Sequence, residues 1–133
     1  MLIFLPSVSR RSALLTLFST LCLGVVSCAS PTLPLPPPEQ PDSVQPSQTD
    51  PETWLVHGSC QPGALVTVFN ERTGRGVVVE DSERTGRYSV ELEAKKCDLG
   101  WVSQVVGEDT STRTMFVVQG RTNGTVDDQS ACK

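Results

Sequence analysis

Apolar and polar side chains alternate with a period of two along residues 54–119, as in Tyr88, Val90 and Leu92. Such alternation is typical of a β-strand with one buried face. The same reasoning gives candidate strands at residues 54–58, 64–69, 77–79, 88–93, 101–106 and 112–118. This region shows no convincing 3.6-residue period of an amphipathic helix. The pattern therefore predicts an all-β fold, a small β-sandwich of six to seven strands.

Turn-forming residues fall between these candidate strands. They are Gln61-Pro62-Gly63, Thr73-Gly74, Thr85-Gly86 and Leu99-Gly100. Glycine supplies the positive φ that a tight hairpin loop requires, and proline presets the first turn position. These positions predict that the chain reverses direction after most of the strands.

Two polar segments flank the predicted sandwich. Eight of the ten prolines lie between Pro31 and Pro51, among residues that are mostly Ser, Thr, Gln, Asp and Glu. Proline removes backbone donors and holds the chain extended, and this composition buries too little apolar surface to fold. We expect residues 28–53 to form a disordered Pro-rich tether and residues 120–133 to form a flexible C-terminal tail.

The first 27 residues have the composition of a signal peptide. Arg10 and Arg11 precede an apolar run over residues 13–26. This run has roughly fifteen residues able to enter a bilayer, whereas a stable spanning helix needs about twenty. The segment is therefore predicted to be a cleaved export signal.

The apolar run ends in Val25-Val26-Ser27-Cys28, which resembles the bacterial lipobox. The resemblance implies a bacterial lipoprotein in which the Cys28 thiol takes a diacylglyceryl group and the chain is cut before Cys28. Two or more acyl chains make such anchoring stable, because each buried methylene adds about 0.8 kcal/mol. The next residue is Ala29 and not Asp, which by the same resemblance favours the outer membrane over the inner one. Membrane lipid is thus the first expected partner.

Charge and composition exclude several functions. Lys plus Arg is 11 and Asp plus Glu is 15, so the net charge is −4. An acidic balance argues against nucleic acid as a partner, because phosphate binding needs a basic surface. The chain has one His and 5% aromatic residues, and it lacks the Gly-x-Ser-x-Gly motif of a nucleophile elbow. Few residues are therefore candidates for a catalytic site. We predict a protein that is not an enzyme and needs no cofactor.

Three stretches in order resemble bacterial immunoglobulin-like domains. They are residues 58–68 with a Pro-Gly turn before a Val-x-Val strand, the run Thr85-Gly86-Arg87-Tyr88-Ser89-Val90, and Leu99-Gly100-Trp101. The resemblance covers about half the chain and implies an immunoglobulin-like β-sandwich that spaces, stacks or adheres without catalysis. Carboxypeptidase-regulatory-like and transthyretin-like modules carry a similar strand and are the alternative. All of these are sandwiches.

After export, Cys60, Cys97 and Cys132 remain in an oxidising compartment. With an immunoglobulin-type strand order and a short extra strand near residues 80–85, the loops carrying Cys60 and Cys97 share one end of the sandwich. This arrangement favours a Cys60–Cys97 disulfide, at two positions where the family usually has other residues. If only six strands exist and successive strands run in opposite directions, Cys60 and Cys97 lie at opposite ends of the sandwich. They are then too far apart to bond, and Cys97–Cys132 is the better pair.

A metal site is the other use of these cysteines. His57-x-x-Cys60 is a single loose spacing with no second close pair, so no metal site is predicted. Trp54 and Trp101 are expected in the core, because so small a sandwich has few other large side chains. An exposed Trp would instead favour a contact with carbohydrate or protein.

These expectations combine into one hypothesis for function. The chain is a lipid-anchored protein of the bacterial cell envelope, and its sandwich is a non-catalytic module for structure, spacing, adhesion or binding. The alternative is an accessory lipoprotein subunit of an envelope complex that docks by an edge strand. In both hypotheses, the expected partner besides membrane lipid is an envelope protein or a surface ligand.

Overall fold

The computed structural model describes residues 33–132, which form two antiparallel β-sheets and contain no helix. The strands are β1 (Ser43–Pro46), β2 (Thr53–Ser59), β3 (Leu65–Asn70), β4 (Arg75–Glu80), β5 (Arg87–Glu93), β6 (Leu99–Val106), β7 (Asp109–Thr110), β8 (Thr114–Val117), β9 (Arg121–Thr122) and β10 (Thr125–Val126). The predicted all-β fold is confirmed, with ten strands in place of six to seven. Within this part of the chain, no helix is long and apolar enough to cross a membrane.

Each of the two sheets contains five of the ten strands. The first sheet has the order β10-β9-β1-β2-β5, and the second has the order β4-β3-β6-β7 with β8 also paired to β6. The six candidate strands of the sequence correspond to β2, β3, β4, β5, β6 and β8. Alternation located them because each packs one side against the core.

The core lies between the sheets and uses one side of each strand. On the first sheet, Trp54 and Val56 of β2 lie opposite Leu92 and Val90 of β5, and all four are buried. The buried cluster also contains Val44, Ala64, Val66, Val68, Tyr88, Ala94, Val102, Phe116 and Val118. Burial of a Val, Leu or Phe side chain contributes about 1.5–3 kcal/mol, so this cluster is the main source of stability.

Glycines make room for aromatic rings on neighbouring strands. The cross-strand pairs are Gly58 with Tyr88, Gly76 with Phe69, and Gly100 with Phe116. A Cβ atom built on Gly100 would lie 2.8 Å from Phe116 Cζ, which no real side chain tolerates. Leu99-Gly100 therefore does not form the expected turn. It lies inside β6, where the missing side chain lets a core ring pack.

The sandwich begins before residue 54. β1 pairs with β2 and places Val44 opposite Val56, and Val44 is fully buried. Residues 43–46 are thus part of the first sheet and not of a disordered tether. The composition of the Pro-rich segment hid this strand, because strand pairing uses backbone groups and β1 needs only one apolar side chain to reach the core.

The segment after residue 119 is also folded in part. β9 and β10 form a hairpin, and Arg121 of β9 pairs with Val44 of β1. Asn123 and Gly124 have φ values of 49° and 76° between these strands. Asn-Gly in a two-residue loop is a strong hairpin signal, and the polar composition of the segment concealed it.

The disulfide bond joins Cys97 to Cys132, and the expected Cys60–Cys97 bond is wrong. β2 and β5 are antiparallel, so Cys60 follows β2 at one end of the sandwich and Cys97 follows β5 at the other. No extra strand forms between Glu80 and Arg87 to bring them together. The alternative pairing is the one formed, and it ties the C-terminal segment to the loop before β6.

Candidate functional site

The sequence singled out four cysteines, and the structure describes three of them. Cys28 lies outside the described residues. Cys97 is in the disulfide, and Cys60 is unpaired within residues 33–132. Burial raises the pKa of the Cys60 thiol, and the charge of Asp81 raises it further. A thiol with a raised pKa is less often the reactive thiolate.

Residues 33–132 contain no group of three or more His, Cys, Asp or Glu side chains that could hold a metal ion. Cys97 and Cys132, two of the possible ligands, are bonded to each other. Cys60 lies beside an open cleft of about 340 Å³, which Pro36, Gln61 and Gln104 also line. Ser59 also lines this cleft, and its hydroxyl donates to Asp42 Oδ2 at 3.3 Å.

The most unusual surface is the outer face of the second sheet, the side turned away from the core. A row of residues crosses four neighbouring strands on this face: Gly76 on β4, Phe69 on β3, Trp101 on β6 and Met115 on β8. The rings of Phe69 and Trp101 stack with their centroids 4.9 Å apart. The Arg113 guanidinium lies 4.2 Å from the Trp101 ring centroid. Aromatic stacking and the cation–π contact stabilise the packing of Phe69, Trp101 and Arg113.

Trp101 does not lie in the core as expected. It belongs to the outer face, and only Trp54 is a member of the core cluster. Trp101 is nevertheless only 9% exposed, because Phe69 and Arg113 cover it. A ring that is covered in this way offers no free face on which a sugar could stack. The outer face is therefore better suited to an apolar contact than to carbohydrate.

One edge of the second sheet is open. Asp81 donates its N–H to the Ala64 carbonyl. In an antiparallel ladder, alternate residues of a strand direct their backbone N–H and C=O groups toward the partner strand, so this bond fixes which residues of β4 point toward β3. By that alternation, the backbone N–H and C=O groups of Gly76, Val78 and Glu80 point away from β3. We call these groups the free edge. The Val78 side chain beside them is 55% exposed.

The opposite edge of the same sheet is covered by residues 36–41, which we call the proline strap. Gln104 Nε2 donates to Pro36 O at 2.8 Å, and Thr114 Oγ1 donates to Pro38 O. Gln40 Nε2 in turn donates to the outward carbonyl of Met115 at 3.1 Å. Prolines have no N–H, so the strap cannot add a regular strand, and side chains supply the donors for its carbonyls.

The two edges therefore differ in what they can bind. An unpaired strand edge is a template for another extended chain, and proteins usually block it with charges, prolines or a covering segment. The proline strap blocks the β8 side, whereas β4 carries the uncharged run Gly76-Val77-Val78-Val79, with exposed charges only at its two ends, Arg75 and Glu80. On the first sheet, the edge strand β5 carries exposed Arg87, Glu91 and Glu93. β4 is thus the edge best suited to accept a strand.

Sequence reasoning found β4 as a strand but not its position at an unprotected edge. The β-branched run at residues 77–79 was visible in the sequence, whereas the covering of the other edge depends on contacts between residues far apart in the chain. Comparison of the chain with protein-family models, with curated proteins and with solved structures gave no match.

Proposed function

We propose that this protein is a lipid-anchored, non-enzymatic binding module of the bacterial cell envelope that docks an extended segment of an envelope protein on the free edge of β4. The observation that carries the proposal is the difference between the two edges of the second sheet. The strap covers β8 at Thr114 and Met115, whereas the outward backbone groups of β4 lie beside an exposed Val78. Added strands gain affinity from main-chain hydrogen bonds and specificity from side-chain contacts.

The outer face next to β4 supplies the apolar contacts. Leu65 and Val78 are both more than a third exposed and lie on neighbouring strands. A strand added beside β4 would extend this face and cover part of Val78. We infer that the partner segment carries apolar or β-branched residues at alternate positions, since these pack well on a pleated surface.

The strand order supports the proposed membership of the immunoglobulin-like class. In that fold the second and fifth strands are neighbours in one sheet, and the third, sixth and last strands share the other. Here β2 neighbours β5, and β3, β6 and β8 lie together with β4 at the edge. Modules of this class present loops and edges for binding.

The proposed anchor is Cys28, and it rests on the lipobox-like run at residues 25–28. We expect the wild-type protein in the membrane fraction, with an acylated cysteine at the mature N-terminus. Cys28→Ala would release the chain from the membrane fraction. A Cys28→Ala protein that stays membrane-bound would contradict the lipid anchor while leaving docking at β4 open to its own test.

Docking is tested by photocrosslinking in cells. A photoreactive residue at position 80, at the free edge, should give one stoichiometric adduct with an envelope protein. The same residue at position 91, on the charged edge strand β5, should give none. Equal adducts from both positions would contradict a specific docking edge.

Two matched proline variants complete the test. Val78→Pro removes an N–H that points away from β3, so the fold keeps its ladder bonds and the docking edge loses a donor. Glu91→Pro does the same on β5, where Ala94 donates to Glu52 and Glu91 faces outward by alternation. We expect Val78→Pro to abolish the adduct from position 80 and Glu91→Pro to retain it. Unchanged crosslinking in Val78→Pro would refute the proposal.

A further inference from the structure

A second surface, distinct from the free edge, lies at the end of β8. A cleft of about 160 Å³ opens there between β8, the proline strap and β9. Its lining includes Gln40, Leu99, Met115, Val117, Gln119 and Arg121. We call it the Arg121 cleft. It combines a cation, amide side chains and apolar walls in one small space.

Arg121 is a buried cation without an ion-pair partner in the part of the chain that the structure describes. It is only 9% exposed, and none of the ion pairs within residues 33–132 includes it. Its Nη1 donates to Gln40 Oε1 at 2.9 Å and to Pro41 O at 3.4 Å, which are both neutral acceptors. A buried charge is costly unless it is paired. A guanidinium that lines a cleft and lacks a carboxylate is suited to bind one from a ligand.

Two further polar groups at this cleft lack partners. Gln119 Oε1 is buried and accepts no hydrogen bond in the described part of the chain. Val118 donates its N–H to Asp98 O, so by strand alternation the backbone groups of Val117 point away from β6. Both features are suited to a ligand that carries its own amide.

The apolar wall of the cleft is open to solvent. Leu99 is 47% exposed and Met115 is 42% exposed, although both lie on strands of the second sheet. Met is a flexible side chain that adapts to a ligand surface. A branched apolar group placed here would bury surface that the protein alone leaves in water.

We propose that the Arg121 cleft binds the free C-terminal carboxylate of a peptide whose last residue is apolar. The carboxylate pairs with the Arg121 guanidinium. The amide N–H of the last peptide residue donates to Gln119 Oε1, and its side chain packs on Leu99 and Met115. A carboxylate, an amide and an apolar side chain on one carbon are found together at a peptide C-terminus. This site does not depend on docking at β4.

The test uses three small probes on the full-length, ¹⁵N-labelled protein in detergent micelles. N-acetyl-L-leucine carries all three groups, N-acetyl-L-leucinamide lacks the negative charge, and 4-methylpentanoate lacks the amide. N-acetyl-L-leucine should shift the backbone amide resonances of Leu99 and Val117 in a saturable way. N-acetyl-L-leucinamide and 4-methylpentanoate should each bind at least tenfold more weakly.

Two variants test which protein side chain binds the carboxylate of the probe and which binds its amide. Arg121→Gln should bind N-acetyl-L-leucine no better than N-acetyl-L-leucinamide, because the charge partner is gone. Gln119 Oε1 accepts no hydrogen bond within residues 33–132, so Gln119→Leu should leave the structure intact. It should abolish the preference for N-acetyl-L-leucine over 4-methylpentanoate and keep the preference over N-acetyl-L-leucinamide.

Several results would overturn the proposal. N-acetyl-L-leucine could leave the resonances of Leu99 and Val117 unshifted, or bind no more tightly than its uncharged amide. Equal binding of 4-methylpentanoate would reject a peptide terminus in favour of a simple carboxylate. An unchanged charge preference in Arg121→Gln would place the carboxylate elsewhere. Because none of these measurements involves β4, they leave the proposed function untouched.

Discussion

At the residue scale, buried polar side chains hold the loops of the sandwich in place. Asp98 is buried, and its carboxylate accepts hydrogen bonds from Arg72 Nε at 2.6 Å, Asn70 Nδ2 at 2.9 Å and the Lys95 N–H at 2.8 Å. Burial raises the pKa of Asp98, and these bonds outweigh burial, so the net pKa is lowered. The ionised carboxylate is thus part of the folded structure.

This arrangement predicts a dependence of stability on pH. The folded-state pKa of Asp98 lies below its unfolded value of about 3.9. The ionised form therefore stabilises the fold above that value, and its contribution is lost as pH falls through the acid range. Asp98→Asn should lower the free energy of unfolding at neutral pH by about 1.5–3 kcal/mol, the range for hydrogen bonds to a charged group.

Denaturant unfolding between neutral pH and about pH 3 measures this effect, since the window spans the ordinary Asp pKa. The variant should show a flatter loss of stability than the wild-type protein as pH falls. Asp109→Asn is the matched control, because Asp109 is exposed on β7. A wild-type slope in Asp98→Asn would show that another group causes the acid sensitivity.

At the element scale, the proline strap shows how a segment without regular secondary structure can protect a sheet. Pro38 and Pro41 are buried, although their neighbours are mostly polar. Buried Gln104 connects the strap to the turn after β2, because its Oε1 accepts the Gln61 N–H at 2.8 Å while its Nε2 binds Pro36 O. The strap is thus held by side-chain donors from β6 and β8.

We predict that Thr114→Val loosens the strap. The substitution keeps the size and β-branching of the side chain and removes the hydroxyl that donates to Pro38 O. The free energy of unfolding should fall by about 1 kcal/mol, the usual net value of one hydrogen bond. Thr67→Val is the matched control, since Thr67 lies on β3 of the same sheet and its hydroxyl makes no hydrogen bond within residues 33–132. Equal effects of both variants would contradict a specific role of Thr114.

At the scale of the whole molecule, one covalent bond joins distant parts of the chain. Cys97 precedes β6 and Cys132 follows the β9–β10 hairpin, with a sequence separation of 35. The backbone reinforces the link, because Cys97 donates its N–H to Val118 O at 2.7 Å. The bond keeps the C-terminal segment against the loop between the two sheets.

Removing this bond should destabilise the fold strongly. For a loop of this length, the chain-entropy relation gives about 4 kcal/mol. We expect Cys132→Ser to lower the free energy of unfolding by up to that amount, and Cys60→Ser to change it little. Denaturant unfolding of both variants without reductant measures the difference. A larger loss in Cys60→Ser than in Cys132→Ser would mean that Cys60 takes part in the stabilising bond.

The sequence by itself determined the fold class and six of the strands. Alternation was enough because a sheet with one buried face repeats every two residues, and Val90 and Leu92 must follow it. The turns at Gly63, Gly74 and Gly86 were equally visible, since all three have positive φ. The lipobox-like run at residues 25–28 stays a prediction that concerns residues outside the described part of the chain.

The tertiary structure alone decided the cysteine pairing, the placement of Trp101 on the outer face and the inclusion of β1, β9 and the strap. Each depends on which segments meet across the sandwich. A local sequence pattern indicates that a side chain is buried, but not which face of the sheet buries it. It also does not indicate to which distant backbone carbonyl Thr114 or Gln104 donates a hydrogen bond. The free edge of β4 and the Arg121 cleft became visible only when the neighbours of each strand were known.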